Sequence, residues 1–365
     1  MSTALAARVI AGVLVFRVLA PTLAAADRLP PGSSSAPART QPGLSMLAAL
    51  EGDWEGVNET TDRRYATRVW LNYRVISNES AVMETLRLGG MAPMVTIYFL
   101  DTDHVMATHY CSSNTQPRLR APVIGPDPRT LKFAFLDCTN VLNSSQMNVS
   151  ALEVTVDPPH RLTQVWYSHN RNWQPFRLVL SRVPPGPPGS VAPPGRPASP
   201  AAPAGVPTAG RSPVAVSAPM VQFEPYERMK ALEGAWVGGT VEKTGPSAPC
   251  RATYTLISGG AAVMESLSIG RSPEMVTVYH QDGDQLMGTH YCESNSQPRL
   301  RTRQRPRPGE SLVFEFLDAT NVMNATSMNI SSLELDIRSR DHLIQTWRSR
   351  SRQEPPTIID LVRKK

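Results

Sequence analysis

The chain carries the same unit twice, and this duplication constrains its fold more than any other feature. Leu50-Glu51-Gly52-Asp53-Trp54-Glu55-Gly56 returns as Leu232-Glu233-Gly234-Ala235-Trp236-Val237-Gly238. Ala81-Val82-Met83-Glu84 returns as Ala262-Val263-Met264-Glu265, and Met94-Val95-Thr96 as Met275-Val276-Thr277. Thr108-His109-Tyr110-Cys111 returns as Thr289-His290-Tyr291-Cys292, and Gln116-Pro117-Arg118-Leu119-Arg120 as Gln297-Pro298-Arg299-Leu300-Arg301. The offset is 181 positions from Ser77 onward, with a one-residue gap between the first Trp and Ser77. Each copy spans roughly 140 residues, a single-domain size and far longer than a solenoid unit.

What lies between and before the copies is different in kind. The chain has 34 Pro against 8 Phe and 6 Trp, so the prolines must concentrate outside a core. They do so in residues 183–220, a Pro/Ala/Gly-rich stretch that cannot bury enough apolar surface to fold and reads as a disordered linker. Residues 27–44 read as a flexible leader. Residues 1–26 read as an export signal: Arg8, an apolar stretch from Val9 to Phe16 continued by Val18 to Ala26, and small residues Ala24 to Ala26 before a cleavage point near Asp27. Arg17 interrupts the apolar region. The repeats occupy 45–182 and 221–365. An exported protein, periplasmic or extracellular, is the expectation.

Composition excludes several classes. A net charge of +6 is too small to argue for nucleic acid. No apolar run is long enough for an internal membrane span, so no stable span is expected once the signal is removed. Four cysteines are too few for a disulfide scaffold. Sequons at Asn58, Asn78, Asn143, Asn148, Asn324 and Asn329 matter only in a eukaryotic secretory cell. The Ala, Arg and Pro bias suggests a bacterial exported protein without glycans.

Within each copy the pattern is β. Arg68 to Ile76, Ala81 to Leu88, Met94 to Leu100, Val105 to Cys111, Leu131 to Leu136, Val149 to Val156, Leu162 to Tyr167 and Phe176 to Leu180 are short β-branched or aromatic runs between turn residues. Helix is limited to Ser45 to Leu50 and Glu227 to Leu232. Eight or more antiparallel strands close most simply into a barrel, which leaves no open edge. The expected fold class is all-β, two tandem antiparallel barrels.

A short helix, then Gly-x-Trp opening a first strand, then a meander, resembles the lipocalins and the wider calycin group. Gly52 and Trp54, and Gly234 and Trp236, carry that resemblance. It implies a lipocalin-like barrel in each repeat, with a basic residue of the last strand packed over the Trp. Arg182 and Arg363 are the candidates. The ordered set of motifs also resembles a family of uncharacterised exported bacterial proteins.

A barrel pocket needs apolar walls with a few fixed polar groups. An even-numbered loop in the hairpin Met94 to Cys111 sets Thr96 opposite His109 and Met94 opposite Cys111; an odd loop exchanges the faces. The face then carries Met94, Thr96, Tyr98, Ala107, His109 and Cys111, and in the second copy Met275, Thr277, Tyr279, Gly288, His290 and Cys292. Ala107 and Gly288 would leave room. Glu84 and Glu265 share an apolar strand face, so each pairs with a cation, such as Arg118, Arg120 or the His, or sits in a pocket with a raised pKa. The expected ligand-binding set is Glu84, Met94, Thr96, Tyr98, His109 and Cys111 with Glu265, Met275, Thr277, Tyr279, His290 and Cys292. The ligand would be small and apolar or amphipathic.

Other readings stand beside this one. The barrels could be filled by their own side chains and serve as interaction modules, the tandem arrangement increasing avidity for a surface partner. An enzyme would use His109 with Cys111 or Glu84. No cofactor is required, with haem through His109 or Tyr110 as the alternative. Metal-ligand spacing is weak, and the methionines scatter as core fillers would. In a meander of these strands Cys111 and Cys138 fall at opposite barrel ends, while Cys250 and Cys292 share an end. Arg299 to Arg307, with five arginines, reads as a solvated loop that could meet an acidic surface.

Overall fold

The computed structural model describes residues 41–59, 67–143, 146, 148–157, 160–170, 173–184, 223–242, 246–303, 306–322, 330–350 and 354–365. The signal-like segment, most of the leader and the linker lie outside the described residues, as do Met147, Asn324, Asn329 and Arg305.

Repeat 1 opens with helix α1 (Pro42–Ala48), then β1 (Gly52–Glu59), β2 (Thr67–Ile76), β3 (Ala81–Leu88), β4 (Met94–Asp101) and β5 (His104–Tyr110). It continues through β6 (Gln116–Pro122), β7 (Thr130–Thr139), β8 (Val149–Asp157), β9 (Arg161–Ser168) and β10 (Phe176–Arg182). Repeat 2 has helix α2 (Glu224–Lys230), β11 (Gly234–Thr240), β12 (Pro249–Ile257), β13 (Ala262–Ile269), β14 (Met275–Asp282) and β15 (Gln285–Tyr291). Its second half is β16 (Gln297–Thr302), β17 (Leu312–Thr320), β18 (Ile330–Ser339), β19 (His342–Ser349) and β20 (Thr357–Arg363). Each repeat is a closed antiparallel barrel in which sequential strands pair and the last strand pairs with the first. Closure leaves no unpaired edge. Each barrel has ten strands, two more than a lipocalin.

One strand was not legible. Gln116–Pro122, with Pro117 inside it, was not among the expected strands. The proline is tolerated because β5 pairs with β6 only from Arg118 onward. The extra strand reverses the direction of β7, so Cys111 and Cys138 lie at the same end of the barrel, contrary to expectation. All four cysteines are free. Likewise Arg299 and Arg301 stand in β16 rather than in a loop.

The Gly-x-Trp-x-Gly motif closes each barrel. Gly52 (φ 117°) and Gly234 (φ 129°) occupy backbone conformations that disfavour any side chain. A Cβ at Gly56 or Gly238 would collide with the carbonyl of Val179 or Asp360 on the closing strand. Trp54 pairs with Arg182 across that closure, and Trp236 with Arg363. The Arg182 guanidinium lies 4.5 Å from the Trp54 ring centre, and Arg363 4.4 Å from that of Trp236. Arg182 also donates to the carbonyls of Glu51 and Ala49 at 2.7 and 2.6 Å, tying β10 to the exit of α1. Leu44 and Leu47 of α1 are wholly buried, so the helix plugs this end. Each barrel thus has a capped end and a mouth.

The outer face of β3 to β5 is apolar too. It meets its counterpart on the other barrel in a single cluster that includes Ile76, Met83, Val95, Ile97, Phe99, Met106 and Tyr110 with Ile257, Val276, Val278 and Tyr291. The contacts come in twins. The Asn140 N–H donates to Asp282 Oδ1 and the Asn321 N–H to Asp101 Oδ1, each at 2.9 Å. Tyr110 and Tyr291 meet hydroxyl to hydroxyl at 3.0 Å. This is a pseudo-twofold interface. Asn140 follows β7 at the mouth of barrel 1, whereas Asp282 ends β14 at the capped end of barrel 2. The barrels therefore lie antiparallel, their mouths facing opposite ways. No helix among the described residues is long and apolar enough to cross a membrane.

Candidate functional site

The hairpin β4–β5 turns at Thr102-Asp103, with Asp101 paired to His104, so the loop is even and Thr96 faces His109. Thr277 faces His290 in the same way. Met94, Tyr98, Ala107 and Cys111 belong to the interior cluster of barrel 1, and Glu84, Thr96 and His109 alternate with them on that face. The opposite face, whose apolarity left the assignment open, is the one that packs between barrels.

Inside, four polar residues form a row across four strands. Tyr73 pairs with Glu84, Glu84 with Thr96, and Thr96 with His109. Tyr254, Glu265, Thr277 and His290 repeat the row. Glu84 Oε2 accepts from Tyr73 (2.6 Å), Tyr98 (2.8 Å) and, across the barrel from β9, Gln164 Nε2 (2.7 Å). Gln164 Oε1 accepts from the Trp166 indole at 2.9 Å. In barrel 2 Glu265 accepts from Tyr254 (2.9 Å), Tyr279 (2.6 Å) and Gln345, which in turn accepts from Trp347. Gln164 and Gln345 thus bridge the lumen from wall to wall.

Among the described residues neither glutamate pairs with a cation. Arg118 is bonded instead to Asp137 on the outer face, and Arg299 to Asp318. Burial pushes the Glu84 carboxyl above the usual range, against the three donors that pull it down; Glu265 behaves alike. Burial and the neighbouring carboxyl push Tyr73 and Tyr98 well above 10. Burial is the largest influence on both carboxyls, and it favours their neutral form. Burial holds the His109 imidazole down at about 3 and His290 at about 4. His109 Nδ1 shares a hydrogen bond with Thr96 Oγ1 at 2.9 Å, and its ring packs 4.9 Å from Trp166.

The space that Ala107 and Gly288 vacate is already taken. A Cβ at Gly288 would touch the Tyr279 ring at 3.3 Å. Tyr279 packs on Phe314 and Tyr98 on Phe133, each at 5.6 Å between ring centres. Glu84, Tyr98 and Gln164 are 0 % exposed, Tyr73 and Thr96 1 %, and His109 2 %. They leave no water-sized void beside them. At mid-height each barrel is filled by its own side chains.

His109 and Cys111 share a face without joining. His109 is engaged by Thr96, and Cys111 Sγ accepts from Ser113 at 3.1 Å. An imidazole held at about 3 is a poor base at neutral pH. The haem alternative fits no better. His109 points inward onto Trp166, Tyr110 points outward to Tyr291, and both are buried. Among the described residues no three His, Cys, Asp or Glu side chains cluster to hold a metal.

The mouth is the less filled end. Phe135 and Phe176 are only partly buried there. Phe176 stacks on Trp166 at 6.1 Å, and Phe135 meets His169 edge-on at 4.5 Å. In barrel 2 Met275 and Cys292 are partly exposed at the corresponding level. Tyr73, Gln164 and Trp166 were not anticipated. Their signal was present, since Tyr254, Gln345 and Trp347 repeat them at the same offset.

No family model and no curated protein sequence matches the chain. Among solved structures, a protein of unknown function of the DUF3598 family from Nostoc punctiforme is similar over 88% of this chain and 97% of its own, at 12% identity and a TM-score of 0.24. A transferrin binding protein B variant from Haemophilus parasuis is similar over 86% and 76%, at 7% identity and a TM-score of 0.18. The Neisseria meningitidis transferrin binding protein B is similar over 82% and 66%, at 8% identity and a TM-score of 0.18.

Proposed function

We propose that the protein is a non-catalytic interaction module: two self-filled barrels that meet a macromolecular partner through their outer surfaces and mouth rims. One observation supports this above the rest. The lumen of each barrel is bridged by a buried hydrogen-bond network (Glu84 with Tyr73, Tyr98 and Gln164; Glu265 with Tyr254, Tyr279 and Gln345) in which Glu84 Oε1 alone lacks a partner. A pocket that bound a ligand at those residues would first have to break three hydrogen bonds, each worth about 1 kcal/mol net and more where burial then leaves a group unpaired. Export, to the periplasm or the outside, belongs to the same proposal and rests on residues 1–26.

The partly buried Phe135 and Phe176 favour a second reading, in which a small apolar or amphipathic ligand sits at the mouth, above Trp166. Native mass spectrometry of the exported protein, with an absorption spectrum, separates the two. The bare mass of the processed chain supports the module. A co-purifying small molecule in one or two copies overturns it in favour of the mouth site, and a Soret band would identify that molecule as haem.

A further inference from the structure

The interface between the barrels is isologous: residue i of one repeat meets residue j of the other, and the twin of j meets the twin of i. Asn140 with Asp282 and Asn321 with Asp101 obey this rule, and Tyr110 with Tyr291 sits on the axis. The buried cluster between the barrels draws Ile76, Ala81, Val95, Ile97 and Tyr110 from one side and their twins Ile257, Ala262, Val276, Val278 and Tyr291 from the other. Such a surface carries no record of which chain supplies its partner. It is buried and largely apolar, as the cores of stable protein–protein interfaces are. The two repeats are covalently joined only through the Pro-, Ala- and Gly-rich stretch 185–222.

We infer that this face is a self-recognition surface, which accepts the complementary repeat of a second copy of the chain as readily as that of its own. The twin pair Phe99 and His280 breaks the symmetry and selects the occupant. His280 Nε2 shares a hydrogen bond with Thr139 Oγ1 at 3.0 Å, and its ring meets Tyr110 edge-on at 6.0 Å. Phe99 meets Tyr291 in the equivalent way at 5.5 Å. Pairing repeat 1 with repeat 1 would lose the Thr139–His280 bond and leave two phenylalanines. Repeat 1 of one chain with repeat 2 of another preserves every contact. The assembly is therefore reciprocal, with four barrels in two chains.

Linker length decides between the two arrangements. β10 ends at the capped end of barrel 1, and α2 enters the capped end of barrel 2, on the opposite side. The connection must climb about one barrel height, roughly 20 Å for strands of this length. At about 3.3 Å per extended residue the natural stretch covers that several times over. A covalent link of this length gives an effective concentration of about 1 mM, so the natural chain is expected to be monomeric in the micromolar range.

Deleting residues 186–219 leaves four linker residues, a reach of about 13 Å, and forbids pairing in cis. Sedimentation of this variant should show dimers or higher multiples at micromolar concentrations where the natural chain is a monomer. A folded monomer would overturn the inference. If the shortened chain does not fold, a second measurement decides. A protease site is placed within 185–222 of the full chain. Two differently tagged preparations are cut, mixed, carried briefly through partly denaturing urea and returned to buffer. Native mass spectrometry should then find cross-tagged pairs of repeat 1 with repeat 2 at about half of all pairs. Isolated halves, or pairs that never cross, would overturn it.

Discussion

Replacing both buried acids by their neutral isosteres, Glu84→Gln with Glu265→Gln, tests the description of the barrel interior most directly. Both carboxyls are wholly buried, and burial raises their pKa in the fold. In the unfolded chain they titrate near 4.3. Between that value and the raised folded value the native state holds protons that the unfolded state has released. Stability therefore falls as pH rises through that window, by about 1.4 kcal/mol per pH unit for each acid and about 2.7 for the two together. Below pH 4 both states are protonated and the contribution is complete. Above the folded pKa the loss is constant. A glutamine keeps the acceptor for Tyr73, Tyr98 and Gln164 and does not titrate. Urea unfolding of wild type and double variant should be compared from pH 4 to pH 8. The difference between them, rather than either curve, isolates these groups from carboxylates such as Asp137, whose pKa burial raises but Arg118 more than offsets, leaving it low. The double variant should gain on wild type as pH rises from 4. A flat difference, or one of opposite sign, would mean that burial does not raise these carboxyls in the fold.

Arg182→Ala removes two charge-assisted hydrogen bonds and a guanidinium–indole contact, and should cost about 2 kcal/mol in chemical denaturation. Arg182→Lys should recover less than half of that, because an ammonium cannot span both carbonyls and stack on Trp54. Tyr110→Phe and Tyr291→Phe should each cost about 1 kcal/mol, and the double variant clearly less than their sum, because both remove the same contact. Burial pushes the Cys138 thiol up to about 12 and raises Cys292 as well, so iodoacetamide at pH 7.5 should label neither within an hour by mass spectrometry, and both in urea. His109→Ala should cost about 3 kcal/mol or more by leaving a hole against Trp166 and an unpaired Thr96.

The fold was legible because duplication doubled every signal. Gly52 and Gly234, Trp54 and Trp236, and Arg182 and Arg363 each occupy the closing position their motif implies. The inward face of β4 and β5 hung on the parity of their loop, since both faces are apolar, and the two-residue turn at Thr102-Asp103 decides it. What the apolar opposite face does was not legible. Val95, Ile97, Phe99 and Tyr110 bury against the other repeat, and a single strand's pattern cannot tell a core from an interface. Of the two readings of Glu84, a raised carboxyl fits and a cation partner does not, because charge was weighed and spacing was not. The donors are neutral and come from β2, β4 and β9, far apart in sequence. Pro117 hid β6, and with it the direction of every later strand. The room inferred beside Ala107 and Gly288 is filled by rings from β4 and β7, a consequence of barrel closure that no local window contains.

The antiparallel packing bears on how such a module can act. Tandem barrels would favour a single surface by avidity, but only if both could present the same end to it. Here Asn140 at one mouth bonds Asp282 at the other barrel's capped end, and Asn321 repeats this with Asp101. The mouths point in opposite directions. Beside each mouth the same apolar residues reach solvent: Leu136 and Leu317, both 38 % exposed, and Val141 and Val322, at 45 % and 42 %. A partner that recognises one rim meets its twin only on the far side of the molecule. Recognition at the rims would therefore join two partners through one chain, with two equal and independent sites. Recognition along the flank, where both barrels are side by side, would instead bind one partner to one chain. Stoichiometry by calorimetry against any candidate partner distinguishes them: two per chain for the rims, one for the flank.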